Sequence, residues 1–406
     1  MTSPTSVKLG DVAKFVRGIS FKPEDIVSAD AKNSVACLRT KNIQSELELS
    51  DVWAVNKSLV RRPDQFLQFG DILVSSANSW NLIGKCNWIP ELPKETSFGG
   101  FVTVLRADPE RILPRFLYWW FSSKRVQALV RSFGNKTTSI SNLNIGRCLS
   151  LLVELPCLSE QRRVASILDK ASELNHRRRE TIRLLDRLEQ SIFMKMFGDP
   201  LPNLMTWPRM ALAELIEEVE SGHSPVCLDR RVRNSEWGVL KLGAITKCSY
   251  ISTENKALPT ENFSSKYLEV KSGDLLFSRK NTHDHVAACA YVRETPPNLL
   301  IPDLMFRFRF PEDTKILPQF LHALLVFPSK RKSIQKLASG SSGSMPNISK
   351  ANLKNTLIEV PPIELQRKFV SRINEIEVQR QKLVKSSVLL NDLFASLQHR
   401  AFRGEL

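Results

Sequence analysis

The chain repeats itself at an interval of about 203 residues, and this repeat constrains its fold more than any other feature. The segment from Phe69 to Asn78 matches the segment from Ser272 to Asn281, and both contain a Gly-Asp pair followed by apolar residues. Further matches follow in the same order on both sides, at Gly18 and Gly222, Cys86 and Cys289, Ile112–Leu117 and Ile316–Leu321, Pro156 and Pro361, and Gln161 and Gln366. Internal repeats of this kind indicate duplicated structural units. We therefore predict two copies of one unit.

Positive charge is divided equally between the two copies. The 406 residues carry a net charge of +16, and each half, divided after Asn203, holds 29 Lys and Arg residues against 21 Asp and Glu residues. A hydrophobic content of 42% and a charged content of 25% are typical of globular proteins with two or three domains. The basic surplus favours a polyanionic partner such as nucleic acid, and a basic soluble protein without one is the alternative.

Each copy ends in a long stretch without proline or glycine, at residues 157–197 and 363–403. Apolar residues recur there every three or four positions, which predicts helices with a coiled-coil seam. We expect the two helices to pack antiparallel and to relate the copies by a pseudo-two-fold axis. The alternative is that each helix packs on its own globular segment.

The expected fold class is α+β, with two mixed α/β domains in pseudo-two-fold arrangement, separated by two long antiparallel coiled-coil helices. The predicted segments are a first domain at 1–156, a central helix at 157–199, a second domain at 200–361 and a C-terminal helix at 362–406. Helical patterns cover 114–132 and 318–338. The run from Met305 to Phe310 alternates apolar and basic residues, which predicts a strand with one buried and one positive face.

The cysteines and the N-terminus bear on the cellular compartment. Seven scattered cysteines form no CxxC pair, which predicts reduced, buried thiols in a cytosolic protein. No apolar run approaches the roughly 18–20 residues that span a bilayer, and charged residues occupy the place of a signal peptide's apolar stretch. We expect a cytoplasmic protein without a membrane partner.

Motifs of nucleic-acid enzymes are almost entirely missing. The sequence has no GxxxxGK[ST] loop, no GxGxxG loop and no Asn-Pro-Pro-Phe/Tyr motif. One nuclease-like pattern remains, in which Asp303, Asp313 and Lys315 could bind Mg²⁺ and activate water. The His283-Asp-His285 run offers two metal ligands without an evident third. A Mg²⁺-dependent DNA nuclease and a stand-alone DNA-binding regulator are therefore alternative functions.

Polar loops that differ between the copies follow the two Gly-Asp pairs, at residues 75–81 and 278–285. Asn and Arg side chains bond adenine and guanine edges bidentately, and the glycine- and hydroxyl-rich segments at 134–139 and 340–344 offer donors for phosphate oxygens. Plain surface loops are the alternative. The candidate DNA-binding residues are Arg17, Lys41, Asn42, Ser76, Asn78, Trp80, Asn81, Lys85, Asn135, Lys136, Thr137, Thr138, His223, Lys241, Arg279, Lys280, Asn281, His283, His285, Ser341, Ser342 and Ser344.

Taken together, the chain resembles the specificity subunits of type I restriction-modification systems over nearly its whole length. The most telling residues are the boundaries before each long helix, Leu155-Pro-Cys-Leu-Ser-Glu-Gln161 and Val360-Pro-Pro-Ile-Glu-Leu-Gln366, with the helix endings Phe197-Gly-Asp-Pro200 and Ala401-Phe-Arg-Gly-Glu-Leu406. Leu365 departs from the family, which commonly has Glu there.

The resemblance implies a non-catalytic subunit with two target-recognition domains, each reading one half of a bipartite, asymmetric site on double-stranded DNA. It implies that the helices set the spacer and dock two modification subunits that methylate adenine N6, with Gln161, Phe197, Gln366 and Phe402 as candidate docking residues. Restriction subunits, acting as translocase and nuclease, would join this assembly. S-adenosylmethionine, ATP and Mg²⁺ are expected in the partner subunits, and no cofactor is expected in this chain.

Overall fold

The computed structural model describes residues 5–136, 140–233, 235–264, 266–339 and 345–406, without the side chains of 135 and 136. It divides into two compact units. Unit 1 comprises residues 1–179 and 385–406, and unit 2 comprises residues 180–384. Because the division cuts both long helices, each unit holds a part of each helix. The four-segment division expected from the sequence stays a prediction.

Unit 1 contains two four-stranded sheets, with strand orders β2-β10-β6-β8 and β3-β5-β4-β9. It also contains a small sheet, β11-β12-β7, and the pair β1-β13. Its strands are β1 Thr5–Lys8, β2 Ala13–Arg17, β3 Ile26–Val27, β4 Ser34–Leu38, β5 Trp53–Asn56, β6 Ile72–Ser75, β7 Ala77–Asn78, β8 Cys86–Trp88, β9 Thr96–Phe98, β10 Val102–Ala107, β11 Asn135–Lys136, β12 Ser141–Asn142 and β13 Leu152–Leu155. The helices that begin in this unit are α1 Leu9–Val12, α2 Pro114–Phe121, α3 Lys124–Ser132, α4 Ile145–Leu149 and the long α5 Leu158–Phe197.

Unit 2 contains a four-stranded sheet with the order β15-β21-β18-β19, a sheet β17-β16-β20 and the pair β14-β22. Its strands are β14 Arg209–Ala211, β15 Glu218–Ser221, β16 Gly238–Leu240, β17 Asn255–Ala257, β18 Leu275–Ser278, β19 Cys289–Tyr291, β20 Leu299–Leu300, β21 Met305–Arg309 and β22 Leu357–Glu359. Its helices are α6 Pro318–Val326, α7 Pro328–Gln335, α8 Lys350–Lys354 and the first part of α9 Ile363–Ala401.

The main sheets of the two units are copies of each other. Ile72 on β6 pairs with Leu105 on β10, and Leu275 on β18 pairs with Phe308 on β21, so the pairing keeps the interval seen in the sequence. The pairs β1-β13 and β14-β22 close each unit by joining its first strand to the strand before a long helix. This shared topology confirms the duplication.

The two long helices run antiparallel within each unit. In unit 1, Arg163 of α5 bonds the carbonyl oxygen of Leu406 at 2.6 Å, and Asn175, further along α5, approaches the carbonyl oxygen of Leu390 at 3.4 Å. In unit 2, Asp186 and Arg380 form an ion pair at 3.1 Å. The helices also contribute to the globular cores, because Val164 and Leu168 are buried among the residues of unit 1. Both sequence-based alternatives therefore hold, and the pseudo-two-fold arrangement stays a prediction.

Two expectations need correction. Each of the helical patterns at 114–132 and 318–338 is split in two: Ser123 caps α3 by accepting a hydrogen bond from the Val126 amide, and Pro328 starts α7. The cysteines are all free thiols, but only Cys37, Cys148 and Cys289 are buried. Cys86, Cys227 and Cys248 are partly buried, and Cys157 is exposed. Its position just before the exposed first turn of α5 explains the difference.

Candidate nucleic-acid interface

The Gly-Asp pair forms the same turn in both units. Gly70 and Gly273 each have a φ of 93°, a conformation that favours glycine. The side chain of Asp71 accepts a hydrogen bond from the Gln68 amide at 2.8 Å, and that of Asp274 accepts one from the Lys271 amide at 2.8 Å. These bonds fix the start of β6 and of β18, and with them the loops that follow.

An arginine of the neighbouring strand holds each of these aspartates, and Arg307 is buried. Arg106 binds both carboxylate oxygens of Asp71 at 2.7 Å. In unit 2, Arg307 bonds Asp274 at 3.2 Å and Glu220 at 2.6 Å. Burial raises the pKa of Asp274, and Arg307 opposes that shift. We expected β21 to have a positive face, and this expectation is wrong at Arg307. The carboxylates of Glu220 and Asp274, which are distant in sequence, neutralise the charge of Arg307 inside the unit.

The asparagines that follow the two strands stabilise their own loops. Asn78 donates to Ser75 Oγ at 3.2 Å and accepts from the Ser79 amide at 2.8 Å. In unit 2, Asn281 makes the same bond to the Ser278 hydroxyl at 3.4 Å, and it is buried. In the observed conformation both side chains shape their own loops, and the base-reading role of Asn78 and Asn281 stays a prediction.

In each unit the loop after the Gly-Asp pair lies beside described residues that follow the second candidate segment, although about 60 residues separate them in sequence. In unit 1, Asn78 pairs with Ser141, and the Leu143 amide donates to the carbonyl oxygen of Ser76 at 2.8 Å. Lys136 and Asn135 lie on β11, which pairs with the same β12. In unit 1, β12 therefore joins the backbone of Asn135 and Lys136 to the loop that follows β6.

Unit 2 has the same arrangement. The Ile348 amide donates to the carbonyl oxygen of Arg279 at 2.8 Å, and Lys280 forms a bridge with Asn347. The candidates Thr137, Thr138, Ser341, Ser342 and Ser344 lie outside the described residues.

Exposed side chains stand at the tips of both loops. Trp80 and Asn81 are exposed in unit 1, and His283 and His285 are exposed in unit 2. The unit 2 tip is anchored from α7, where Gln335 donates to the carbonyl oxygen of His283 at 3.3 Å. These four side chains are placed where a ligand could reach them.

A second segment of unit 1, around residues 41–51, lies beside the first loop. Asn42 is fully buried and donates to the carbonyl oxygens of Glu48 and Asp51, so it supports this segment instead of offering itself to a base. Lys85 donates to Gln44 Oε1 at 3.3 Å, and partial burial lowers the pKa of Lys85.

One candidate lysine of each unit is held by a carboxylate. Lys41 forms an ion pair with Asp51, and Lys241 forms one with Glu254 at 3.3 Å. The hydrogen bond from Lys41 lowers the pKa of Asp51. Each lysine would have to exchange its carboxylate for a phosphate to bind DNA.

Tight turns place two further candidates at the surface. A Cβ on Gly18 or Gly222 would overlap carbonyl oxygens of a neighbouring backbone segment. Only glycine therefore fits at these two points, where two backbone segments cross closely. Arg17, just before the first turn, and His223, just after the second glycine, are both exposed. The His223 ring lies 5.8 Å from that of Tyr267.

The four candidate docking residues are mostly internal. Gln161, Gln366 and Phe197 are buried, with at most 3% of their surface exposed, and Phe402 is half-buried against Phe116 at 5.3 Å. Because the first three hold this chain together, their side chains cannot form the surface of a docking site. They can affect docking only through the segments that they position.

Some contacts had no signal in the sequence. Glu46 binds His176 and Arg179 of α5 at 2.9 and 2.8 Å, which tethers the 41–51 segment to the long helix and lowers the pKa of Glu46. Arg39 lies 3.5 Å from the ring centroid of Trp53. Both are contacts between distant residues, and no local pattern marks them.

The nuclease-like residues do not form a recognisable metal centre. Asp303 accepts a hydrogen bond from the Ser224 hydroxyl. Within the described ranges, no group of three or more His, Cys, Asp or Glu side chains is arranged to hold a metal ion. A separate search of the same ranges found no helix with the length and apolar character needed to cross a bilayer.

Comparisons with known proteins agree with each other. Residues 4–184 match the family model "Type I restriction modification DNA specificity domain". The specificity subunit of the type I restriction enzyme EcoKI from Escherichia coli (strain K12) is 23% identical over 414 residues, covering 97% of this chain and 87% of that one. The EcoEI specificity subunit from Escherichia coli is 31% identical over 170 residues, covering 42% and 28%.

A solved structure shares the fold. The crystal structure of the S subunit of a type I restriction-modification system from M. genitalium superimposes with a TM-score of 0.56 at 15% identity, covering 98% of this chain and 96% of that one. At this identity the likeness concerns the fold, including the two mixed domains and the long helices.

Proposed function

We propose that this chain, which is similar to the DNA specificity subunits of type I restriction-modification systems, belongs to that family, and that each of its two units recognises one half of a bipartite, asymmetric DNA site. In this proposal the chain determines which DNA sequence is recognised, and it performs no catalysis itself. The Mg²⁺-dependent nuclease and the stand-alone regulator remain alternatives that the experiments below separate.

The observation that supports this proposal is the matching framework of the two units: in each, the loop after the Gly-Asp pair is held by described residues about 60 positions later, just after the second candidate segment. The two Gly-Asp turns match, and Asn78 and Asn281 make the same bond to a serine hydroxyl. The exposed residues at the tips differ, with Trp80 and Asn81 in one unit and His283 and His285 in the other. A shared framework with different tips is what two readers of different base sequences require.

The helices have a second role in this proposal. A helix of 40 residues such as α5 is about 60 Å long, and half-sites on DNA lie some 34–36 Å apart per helical turn. The antiparallel helices would therefore act as a ruler for the spacer between the half-sites. They would also carry the docking surface for two modification subunits, which bind S-adenosylmethionine and methylate adenine N6 after flipping the base.

Restriction subunits that use ATP and Mg²⁺ would complete the assembly, with this chain working in the cytoplasm. The test is methylome sequencing of a host that expresses the chain with its adenine methyltransferase. Replacing residues 1–155 by those of another family member should change one half-site only. Inserting a few residues after Ala171 should change the spacer and leave both half-sites intact.

The controls separate the alternatives. Loss of all methylation in the domain exchange, with a correctly folded chain, would contradict independent reading by the two units. DNA cleavage by the purified chain with Mg²⁺ alone, abolished by Asp313→Ala, would favour the nuclease. A chain that binds DNA but never co-purifies with a methyltransferase would favour the regulator.

A further inference from the structure

Two cations of unit 2 lie over the same aromatic ring. The guanidinium carbon of Arg279 is 5.0 Å from the ring centroid of Phe306, and the ammonium nitrogen of Lys350 is 5.8 Å from it. Both distances are within the range of cation–π attraction. Phe306 is fully buried on β21, whereas Arg279 follows β18 and Lys350 begins α8. Three separate elements therefore place both cations beside one ring.

Neither of these charges is neutralised by the surrounding protein. Within the described ranges, no carboxylate oxygen lies within 4.0 Å of the side-chain nitrogens of Arg279 or Lys350. The Arg279 side chain donates to the neutral Asn347 Oδ1 at 3.1 Å. By contrast, Arg307 on the same strand is paired with two carboxylates. Two like charges held near one ring repel each other, and a bound anion would relieve that repulsion.

The same surface continues along the candidate loop. Lys280 follows Arg279 directly in the chain, and its backbone forms a bridge with Asn347. Unit 1 has no equivalent, because Thr103 occupies the position of Phe306 in the strand pairing and Ser76 that of Arg279. Thr103 is buried and donates to the carbonyl oxygen of Val16 at 2.7 Å. The ring with its two cations is thus a feature of unit 2.

We propose that Arg279 and Lys350 form a binding site for a backbone phosphate of DNA, with Lys280 beside it. This site rests on the proposed DNA-binding function and adds an asymmetry to it. The planar guanidinium can donate two hydrogen bonds to one phosphate, and the ammonium group adds a point charge. The buried ring holds both cations in place before DNA arrives. Unit 2 therefore contributes more of the sequence-independent affinity than the loop surface of unit 1.

The test is the salt dependence of binding to a 30-base-pair duplex of random sequence, measured by fluorescence anisotropy with the full-length chain. Each neutralised phosphate contributes about 0.9 to the slope of log affinity against log salt concentration. The double variant Arg279→Gln, Lys350→Gln should lower the magnitude of the wild-type slope by about 0.9, the contribution of one phosphate, and weaken binding roughly tenfold at low salt.

Two control variants make the result specific. Lys32→Gln, Lys94→Gln removes two exposed charges of unit 1 and should keep the wild-type slope. Arg279→Lys, Lys350→Arg keeps both charges and should keep most of it. Circular dichroism melting checks that every variant folds.

The possible failures are distinguishable. An unchanged slope in the Gln variant, or an equal decrease in both charge-removing variants, would overturn the phosphate site while leaving DNA binding intact. A wild-type chain that does not bind the duplex would overturn the site together with the proposed function. Thermal melts of the wild type with millimolar inorganic phosphate and with DNA test the nature of the ligand. If both raise the melting temperature equally, the site would be assigned to free phosphate instead.

Discussion

The side chain of Gln366 accepts a hydrogen bond from the backbone amide of Leu317 at 2.8 Å. Its own amide group donates to the carbonyl oxygens of Lys315 and Pro361 at 3.0 and 2.8 Å. Gln366 is completely buried. One side chain in the first turn of α9 therefore joins the start of α6, the loop before it and the segment that leads into the long helix.

Replacing Gln366 by leucine should lower the free energy of unfolding by about 2–3 kcal/mol, because it leaves buried backbone groups without partners. The same change at Gln161, which bonds the Leu113 amide at 2.9 Å, should act in the same way on unit 1. Urea unfolding followed by circular dichroism measures the effect. The control is Gln379→Leu at an exposed position of α9, and equal stability of the two α9 variants would contradict this role.

The glycine at the crossing in unit 2 allows a second prediction. A Cβ on Gly222 would overlap the backbone at Ile301 and Pro302, so Gly222→Ala should destabilise the protein by more than about 1 kcal/mol. The matched control is Gly146→Ala, where the nearest atom to the added Cβ lies at 3.6 Å. Thermal melting compares the two, and a wild-type melting temperature for Gly222→Ala would show that the crossing can relax.

The buried ion pair between Lys330 and Glu359 predicts a larger loss of stability than that expected for Gly222→Ala. Lys330 donates to Glu359 at 2.6 Å and to the carbonyl oxygen of Leu357 at 2.5 Å, and the two charged side chains are at most 7% exposed. Lys330→Met should cost about 3 kcal/mol, because it leaves a buried carboxylate with only the partly exposed Arg209 as partner. Adding Glu359→Gln should recover part of that loss. Lys332→Met, on the exposed side of the same helix, serves as the control in denaturant titrations.

The sequence predicted the duplication, the two long helices and the loops after the Gly-Asp turns because each of these leaves a periodic or repeated local pattern. It did not predict which polar side chains turn inward. Asn42, Asn78 and Asn281 carry the chemistry that reads bases, yet the same amide groups also satisfy nearby backbone and hydroxyl groups. Only the folded geometry decides between these two uses.

The same reasoning explains the error at Arg307. Its alternation with apolar neighbours is identical for an exposed and for a paired arginine, and its partner Glu220 is 87 residues away. The sequence did not predict the site formed by Arg279 and Lys350 beside Phe306, for a related reason. Arg279 was a candidate because of its loop, but the strand carrying Phe306 and the helix carrying Lys350 meet it only in the folded unit.

The last prediction concerns pH. Nε2 of His322 lies 3.0 and 3.2 Å from the carbonyl oxygens of Cys248 and Cys289, so this nitrogen carries the proton of a neutral ring. Burial lowers the pKa of His322 below its usual 6.5, an effect that the two carbonyl oxygens partly oppose. Below pH 6.5 the unfolded chain therefore binds a proton that the folded chain rejects. The contribution of His322 to stability is full above that pH and decreases as the pH falls.

This decrease can reach about 1.4 kcal/mol per pH unit for a single group. His322→Gln removes the titrating group and keeps a donor, so its stability should fall less than that of the wild type between about pH 7 and pH 5. Urea unfolding at several pH values measures the difference. His399→Gln, at an exposed position of α9 in unit 1, should follow the wild type. If His322→Gln also followed the wild type, the His322 ring would not be the group that couples the stability of unit 2 to pH.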